Sequence, residues 1–212
     1  MISVSRYSHA SVPTEQGTFD LTVYRVDTAR AERPTATAER EALLISLGDL
    51  LTGEPPFVRI HSECLTGEAL GSQLCDCGHQ LRGALEKIQK EGRGAVVYLR
   101  QEGRGIGLGN KIQAYALQAE GRDTVDANHA LGFGADLRDF GAAAEILKAE
   151  GVTRVRLATN NPDKVRALRE AGVDVASEIR MLAPVNSANQ RYLSTKWKRM
   201  SHRLDELADL LG

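Results

Sequence analysis

The sequence predicts an α/β protein, and three observations carry that reading. Short runs of β-branched and aromatic residues alternate with helical stretches through the second half of the chain. Most of those helical stretches close on a glycine, the usual stop. The 212 residues, 42% of them hydrophobic, are enough for one substantial core.

Strands are expected at residues 19–26, 57–60, 95–99, 155–158 and 173–176. A helix is expected at 80–91, where Leu81, Ala84, Leu85 and Ile88 share a face and Gly92 follows. Two more are expected at 110–120 and 142–150, closed by Gly121 and Gly151. A fourth, at 161–171, has Asn161 as cap, Pro162 in the first helical position and Gly172 beyond its end. The run TARAERPTATAEREA, residues 28–42, reads as a surface turn leading into a helix or extended piece. Residues 189–211 read as one amphipathic helical segment, basic and then acidic. No internal repeat stands out.

A net charge of −1 and 5% aromatic residues argue against a nucleic-acid-binding protein. No apolar run approaches the roughly 20 residues that span a bilayer, and the start lacks a signal-peptide core. Neither a membrane nor a nucleic acid is expected as partner. A cytoplasmic, reducing location is the default, where clustered cysteines serve as metal ligands or reactive thiols more often than as disulfides.

All three cysteines fall in RIHSECLTGEALGSQLCDCGHQL: Cys64, Cys75 and Cys77. Thiolates suit zinc, and Cys-x-Cys brings two to one ion if the backbone turns sharply, which Asp76 and Gly78 favour. Structural zinc takes four protein ligands, whereas catalytic zinc keeps a place for water. Two arrangements therefore stay open: a three-cysteine site with a free position, or one closed by His61.

A second constellation is YLRQEGRGIGLGNKIQAYALQAEG, with Gly103, Gly105, Gly107 and Gly109 at alternate positions and Glu102, Arg104 and Lys111 among them. Such a loop ahead of a helix can approach phosphate closely. It matches neither the dinucleotide fingerprint nor the Walker loop. A third is LATNNPDKVRAL, which sets Thr159 and Asn160 at the carboxyl end of a strand and Lys164 on the helix behind.

With LGFGADLRDFG and YLSTKWKRMSH, these stretches form an ordered motif set that resembles GTP cyclohydrolase II, over about residues 59–164 with a weaker echo near the C-terminus. Ser201 stands where the family more often has glycine. The resemblance implies a single compact domain, residues 1–212, with a mixed sheet flanked by helices, a motif-bearing core at 57–172 and the C-terminal helical segment. It implies zinc on Cys64, Cys75 and Cys77 with water in the fourth place, and His61 left among the GTP contacts. Those contacts are Arg59, Ile60, His61, Ser62, Glu63, Gln80, Glu102, Gly103, Arg104, Thr124, Thr159 and Lys164. Tyr115 is expected near the guanine ring, Asp136 as proton acceptor and Arg138 as nucleophile on the α-phosphate. The guanidinium's high pKa argues equally for Arg138 as a stabiliser of phosphate charge. Magnesium on the triphosphate and a homodimer are further expectations. The chain has no room for the dihydroxybutanone-phosphate synthase domain of bifunctional relatives, so the standalone form is expected. The implied reaction is hydrolysis of GTP to formate, pyrophosphate and a diaminopyrimidine nucleotide, the opening step of riboflavin biosynthesis. Rivals are a paralogue that keeps the formyl group or takes another purine nucleotide, and a non-catalytic nucleotide-binding zinc module.

Overall fold

The computed structural model describes residues 2–28 and 41–211. Among them seven strands form one mixed sheet in the order β1-β2-β3-β5-β4-β6-β7. The strands are β1 (Ile2–Thr14), β2 (Gly17–Thr28), β3 (Glu41–Leu47), β4 (Phe57–Ser62), β5 (Gly94–Leu99), β6 (Arg154–Ala158) and β7 (Asp174–Ile179). Neighbours from β1 to β3, and β3 with β5, run antiparallel; β5, β4, β6 and β7 run parallel. The five expected strands are all present, within a few residues at each end. β1 and β3 were not foreseen. β1 is an edge strand, exposed along most of its length, so its residues show little hydrophobic alternation. Most of the 28–42 run lies outside the described residues, but Glu41 and Ala42 already belong to β3.

Helices follow the parallel strands. They are α1 (Leu65–Glu68), α2 (Cys77–Glu91), α3 (Gly107–Ala119), α4 (Thr124–Ala130), α5 (Gly141–Ala149), α6 (Pro162–Glu170), α7 (Gln190–Arg199) and α8 (Ala208–Leu211). The Asn161 side chain caps α6 by accepting from the Asp163 N–H at 2.8 Å, as the sequence predicts. The C-terminal segment departs from expectation. It is two helices, broken after Met200, with Ser201 in the left-handed region at φ 53°.

Two apolar layers sandwich the sheet. On one face Val58, Ile60, Val97 and Leu157 meet Ile146 and Leu147 of α5 and Leu168 of α6. On the other, Phe57 and Val96 meet Ala84, Leu85 and Ile88 of α2. The period of two along β4 puts Arg59 and His61 on the Phe57 face, beyond the end of the α2 packing. There they open a polar site at the carboxyl ends of β4, β5 and β6, where α/β sheets bind ligands.

Candidate metal and anion site

The three sulfurs lie within 4.8 Å of one another, with Cys64 Sγ 3.7 Å from Cys75 Sγ. Cys64 ends the β4 loop, and Cys75 and Cys77 flank the start of α2. A Cβ on Gly67 would lie 2.8 Å from the Cys75 sulfur, and one on Gly78 would lie 2.3 Å from the Gly67 carbonyl oxygen. Glycine at both places lets the two backbone segments close around the sulfurs. The donor set therefore fits zinc: soft sulfur ligands, mutually close, in a cradle with no room for extra carbon.

Lys111 reaches into this cradle from α3. Its ammonium is 3.1 Å from Cys64 Sγ and 2.8 Å from Glu102 Oε1. Hydrogen bonds with the Cys75 and Cys77 thiols, reinforced by Lys111, hold the Cys64 thiol far below its ordinary range. Glu102 lines the sulfur compartment and also bonds protein through both oxygens. Oε2 accepts from the Leu65 N–H at 2.7 Å, and Oε1 accepts from the Gly103 N–H as well as from Lys111. It anchors the first turn of α1 and the lysine together.

His61 does not join the sulfurs. Its Nε2 pairs with Glu68 Oε1 at 2.8 Å, and its Nδ1 accepts from Arg59 Nε at 3.2 Å. Those partners place the proton on Nε2. The ring stacks on Tyr98, whose hydroxyl donates to Glu68 Oε2 at 2.6 Å. Burial pushes the His61 pKa down to about 4, so the ring is neutral near pH 7.

Two compartments adjoin. The first holds the sulfurs with Glu63, Gly103, Arg104, Tyr115 and Thr124; the second holds Arg59, His61, Gln80, Thr159 and Lys164. Ser62, Cys77, Arg138 and Tyr192 line both. Ile60 keeps its side chain fully buried in the core, and its carbonyl accepts from Lys164 Nζ at 2.9 Å. Asp136 lines neither compartment and meets the site through Arg138. The Arg138 guanidinium donates to it twice, from Nε at 2.8 Å and from Nη2 at 2.5 Å, and the Arg138 backbone N–H once, at 3.1 Å. Burial opposes both charges, yet the paired hydrogen bonds win, lowering the Asp136 pKa and raising that of Arg138. Of the alternating glycines, Gly103, Gly105 and Gly107 take positive φ, while Gly109 is an ordinary residue of α3. Arg104 shares the left-handed conformation at φ 60°, an uncommon state for a side chain this large.

The electrostatics are unbalanced in one direction. Arg104 Nη1 and Nη2 and Asn161 Nδ2 are buried donors without acceptors. Lys164 is 6% exposed, and burial together with Arg59, Arg138 and Lys196 depresses its pKa well below the lysine range. Buried donors without acceptors and crowded cations are costly unless an anion completes them.

Sequence reasoning passed over Asp76 as a site residue, and with it Tyr192, Lys196 and His202. Asp76 is buried between two of the cysteines and pairs with Lys196 Nζ at 2.6 Å. Its place inside Cys-x-Cys was a signal, but its partner 120 residues away was not visible locally.

An α/β sheet with a three-sulfur cradle beside a donor-rich pocket at its parallel strand ends defines a class: an α/β protein whose thiolates could hold a zinc-type ion next to a pocket suited to an anion. A family model described as GTP cyclohydrolase II matches residues 5–180. The chain belongs to the GTP cyclohydrolase II family. The GTP cyclohydrolase-2 of Tolumonas auensis is 47% identical over 206 residues, which cover 97% of this chain and 100% of that protein. That of Actinobacillus succinogenes is 48% identical over 202 residues, 95% of this chain and 89% of the relative. The riboflavin biosynthesis protein RibBA of Bacillus cereus is 46% identical over 95% of this chain but only 49% of its own length, so the chain spans about half of that protein. A two-domain 3,4-dihydroxy-2-butanone 4-phosphate synthase from A. baumannii is a looser likeness, 19% identical at a TM-score of 0.47 over 85% of this chain and 40% of that one.

Proposed function

We propose that this chain hydrolyses GTP, releasing C8 as formate and the two outer phosphates as pyrophosphate, and leaving a ring-opened diaminopyrimidine ribosyl phosphate for riboflavin synthesis. The observation that supports it most is the joining of the sulfur cradle to the cation-rich compartment across Ser62, Cys77, Arg138 and Tyr192. A nucleotide laid across that partition has its purine at the sulfurs and its phosphates at the cations.

Cys64, Cys75 and Cys77 would hold zinc, which when bound lowers the pKa of water toward roughly 7 and so supplies hydroxide at neutral pH. The chain's own residues do the rest. Lys111 offsets part of the negative charge of the thiolates, and Glu102 fixes its ammonium in place. Tyr115, its pKa raised by burial, is a phenol and not a phenolate, and its hydroxyl lies 3.4 Å from Thr66 Oγ1. It is placed to donate a proton in the purine compartment. The unpaired guanidinium nitrogens of Arg104 are donors for an acceptor on the nucleotide. Lys164 and Arg59 receive the outer phosphates. Arg138, at the partition, faces the α-phosphate as a cation held by Asp136, and stabilises the charge that develops as water displaces pyrophosphate. Magnesium on the triphosphate, a homodimer and a cytoplasmic location belong to the same proposal and rest on the family resemblance.

The test is turnover of GTP by zinc-loaded protein with magnesium, following formate and pyrophosphate together. Both are expected in equal amounts. Pyrophosphate without formate would point instead to a formyl-retaining relative, and tight nucleotide binding without turnover to a non-catalytic module.

A further inference from the structure

The sheet ends at Ile179 and the family match at residue 180, but the pocket's wall continues beyond both. Tyr192 lines both compartments, and Lys196 and His202 line the cation-rich one. The segment that carries them has a small core of its own, Leu193, Leu204 and Leu211 with Trp197 and Leu207, separate from the two layers on the sheet. Fully buried Asn189 sets the start of α7, donating to the Pro184 carbonyl at 3.0 Å and accepting from the Asn186 N–H at 2.9 Å. Polar contacts fasten it to the body. Arg199 pairs with Asp123 and Asp126, the Arg203 N–H donates to the Asn160 carbonyl at 2.8 Å, and Lys196 pairs with Asp76.

We propose that α7 is a substrate-binding wall: Lys196 supplies a cation to the polyphosphate of the ligand, and Tyr192 forms the partition where the ligand passes from one compartment to the other. The proposal rests on the nucleotide reading above and extends it to residues beyond the span of the family model.

Charge argues for it first. Arg59, Arg138, Lys164 and Lys196 line this compartment; Arg138 and Lys196 are paired with Asp136 and Asp76, whereas among the described residues Arg59 and Lys164 bond only neutral protein groups. The cationic neighbours disfavour the Lys164 ammonium, and a polyphosphate is the ligand chemistry that would restore it and meet the donors left over. Geometry argues second. An ammonium has three donors, and Asp76 takes one of them. Asp76 is itself fixed by Gln80 Nε2 at 2.6 Å, on the turn between two sulfurs. The ammonium also lies 4.5 Å from the centre of the Tyr192 ring, so two neighbours hold it at the pocket before a ligand arrives. A lysine serving only as a strap has no need to line the cavity.

The experiment is calorimetric titration of the zinc-loaded protein with tripolyphosphate, beside kinetics with GTP. Lys196→Met is expected to weaken tripolyphosphate about tenfold or more, the loss of one charge-assisted bond. KM for GTP should rise by a similar factor, with a smaller change in kcat and with zinc per chain unaltered. Lys196→Arg should recover part of the affinity. The paired variant Asp76→Asn with Lys196→Met removes both buried charges, so that neither is stranded if the single variant unfolds, and it should show the same loss. Tripolyphosphate binding at wild-type strength in either methionine variant would overturn the inference and leave the GTP reading standing. A wild-type protein that neither binds tripolyphosphate nor turns over GTP would overturn both.

Discussion

The Lys111 ammonium stands between the Cys64 sulfur, at 3.1 Å, and Glu102 Oε1, at 2.8 Å. One positive charge thus serves a thiolate and a carboxylate that are both nearly buried, and among the described residues neither has another cation at that range. Lys111→Met keeps the stem and removes the charge. A hydrogen bond to a charged group contributes on the order of 2 kcal/mol, so zinc affinity should fall roughly thirty-fold. Competition with a chromogenic chelator measures it; unchanged zinc retention would remove Lys111 from the site.

Arg104 presents the opposite balance. Its left-handed backbone and its buried guanidinium nitrogens without acceptors both weigh against folding. Arg104→Gly relieves both, so the variant should be as stable as the parent to within about 1 kcal/mol, or more stable. KM for GTP should nevertheless rise at least tenfold. Urea denaturation and formate release give the two quantities, and a large loss of stability with KM unmoved would contradict this account.

Acid stability follows from two buried histidines. Burial lowers the His61 pKa to about 4 and, with Lys196 adding to it, that of His202 to about 3. In the unfolded chain both titrate near 6.5. As pH falls below 6.5 the unfolded state takes up protons that the folded state refuses, so stability is present above that pH and is lost on the way down to about 4. His61 alone accounts for roughly 3 kcal/mol of that loss. The urea midpoint should drop steadily between pH 7 and pH 4.5, and two imidazole resonances should fail to titrate across that range. Titration of all histidines near pH 6.5 would refute it.

Arg138 bears on how the α-phosphate is cleaved. Two hydrogen bonds to Asp136 keep it protonated, and a protonated guanidinium has no lone pair to attack phosphorus. The expected outcome under rapid denaturing quench at alkaline pH is cleavage of GTP with no phosphoramidate on Arg138 by mass spectrometry. Arg138→Lys, which cannot reproduce the paired bonds, should lower kcat by about a hundredfold or more. An adduct that forms and decays with turnover would establish covalent catalysis instead.

Much of this protein was legible along the chain because the signals are local. The α6 start needs only Asn161 and Pro162 in sequence, and the parallel strands show as apolar runs because both faces of the sheet are covered. Likewise, three cysteines within fourteen residues announce a shared ligand. β1 stayed hidden because an exposed edge strand has no core to impose a pattern on it. The C-terminal break stayed hidden because amphipathic spacing continues across it.

The sequence by itself determined the α/β alternation, the helix caps and the sulfur trio. Tertiary structure decided which way His61 faces, that Glu102 holds Lys111, that Ile60 belongs to the core, and that Lys196 reaches Asp76. The reason is one of range: dihedral preference and periodicity act over a few residues, whereas a buried charge is placed by whichever partner the fold brings to it, here across more than a hundred positions of chain.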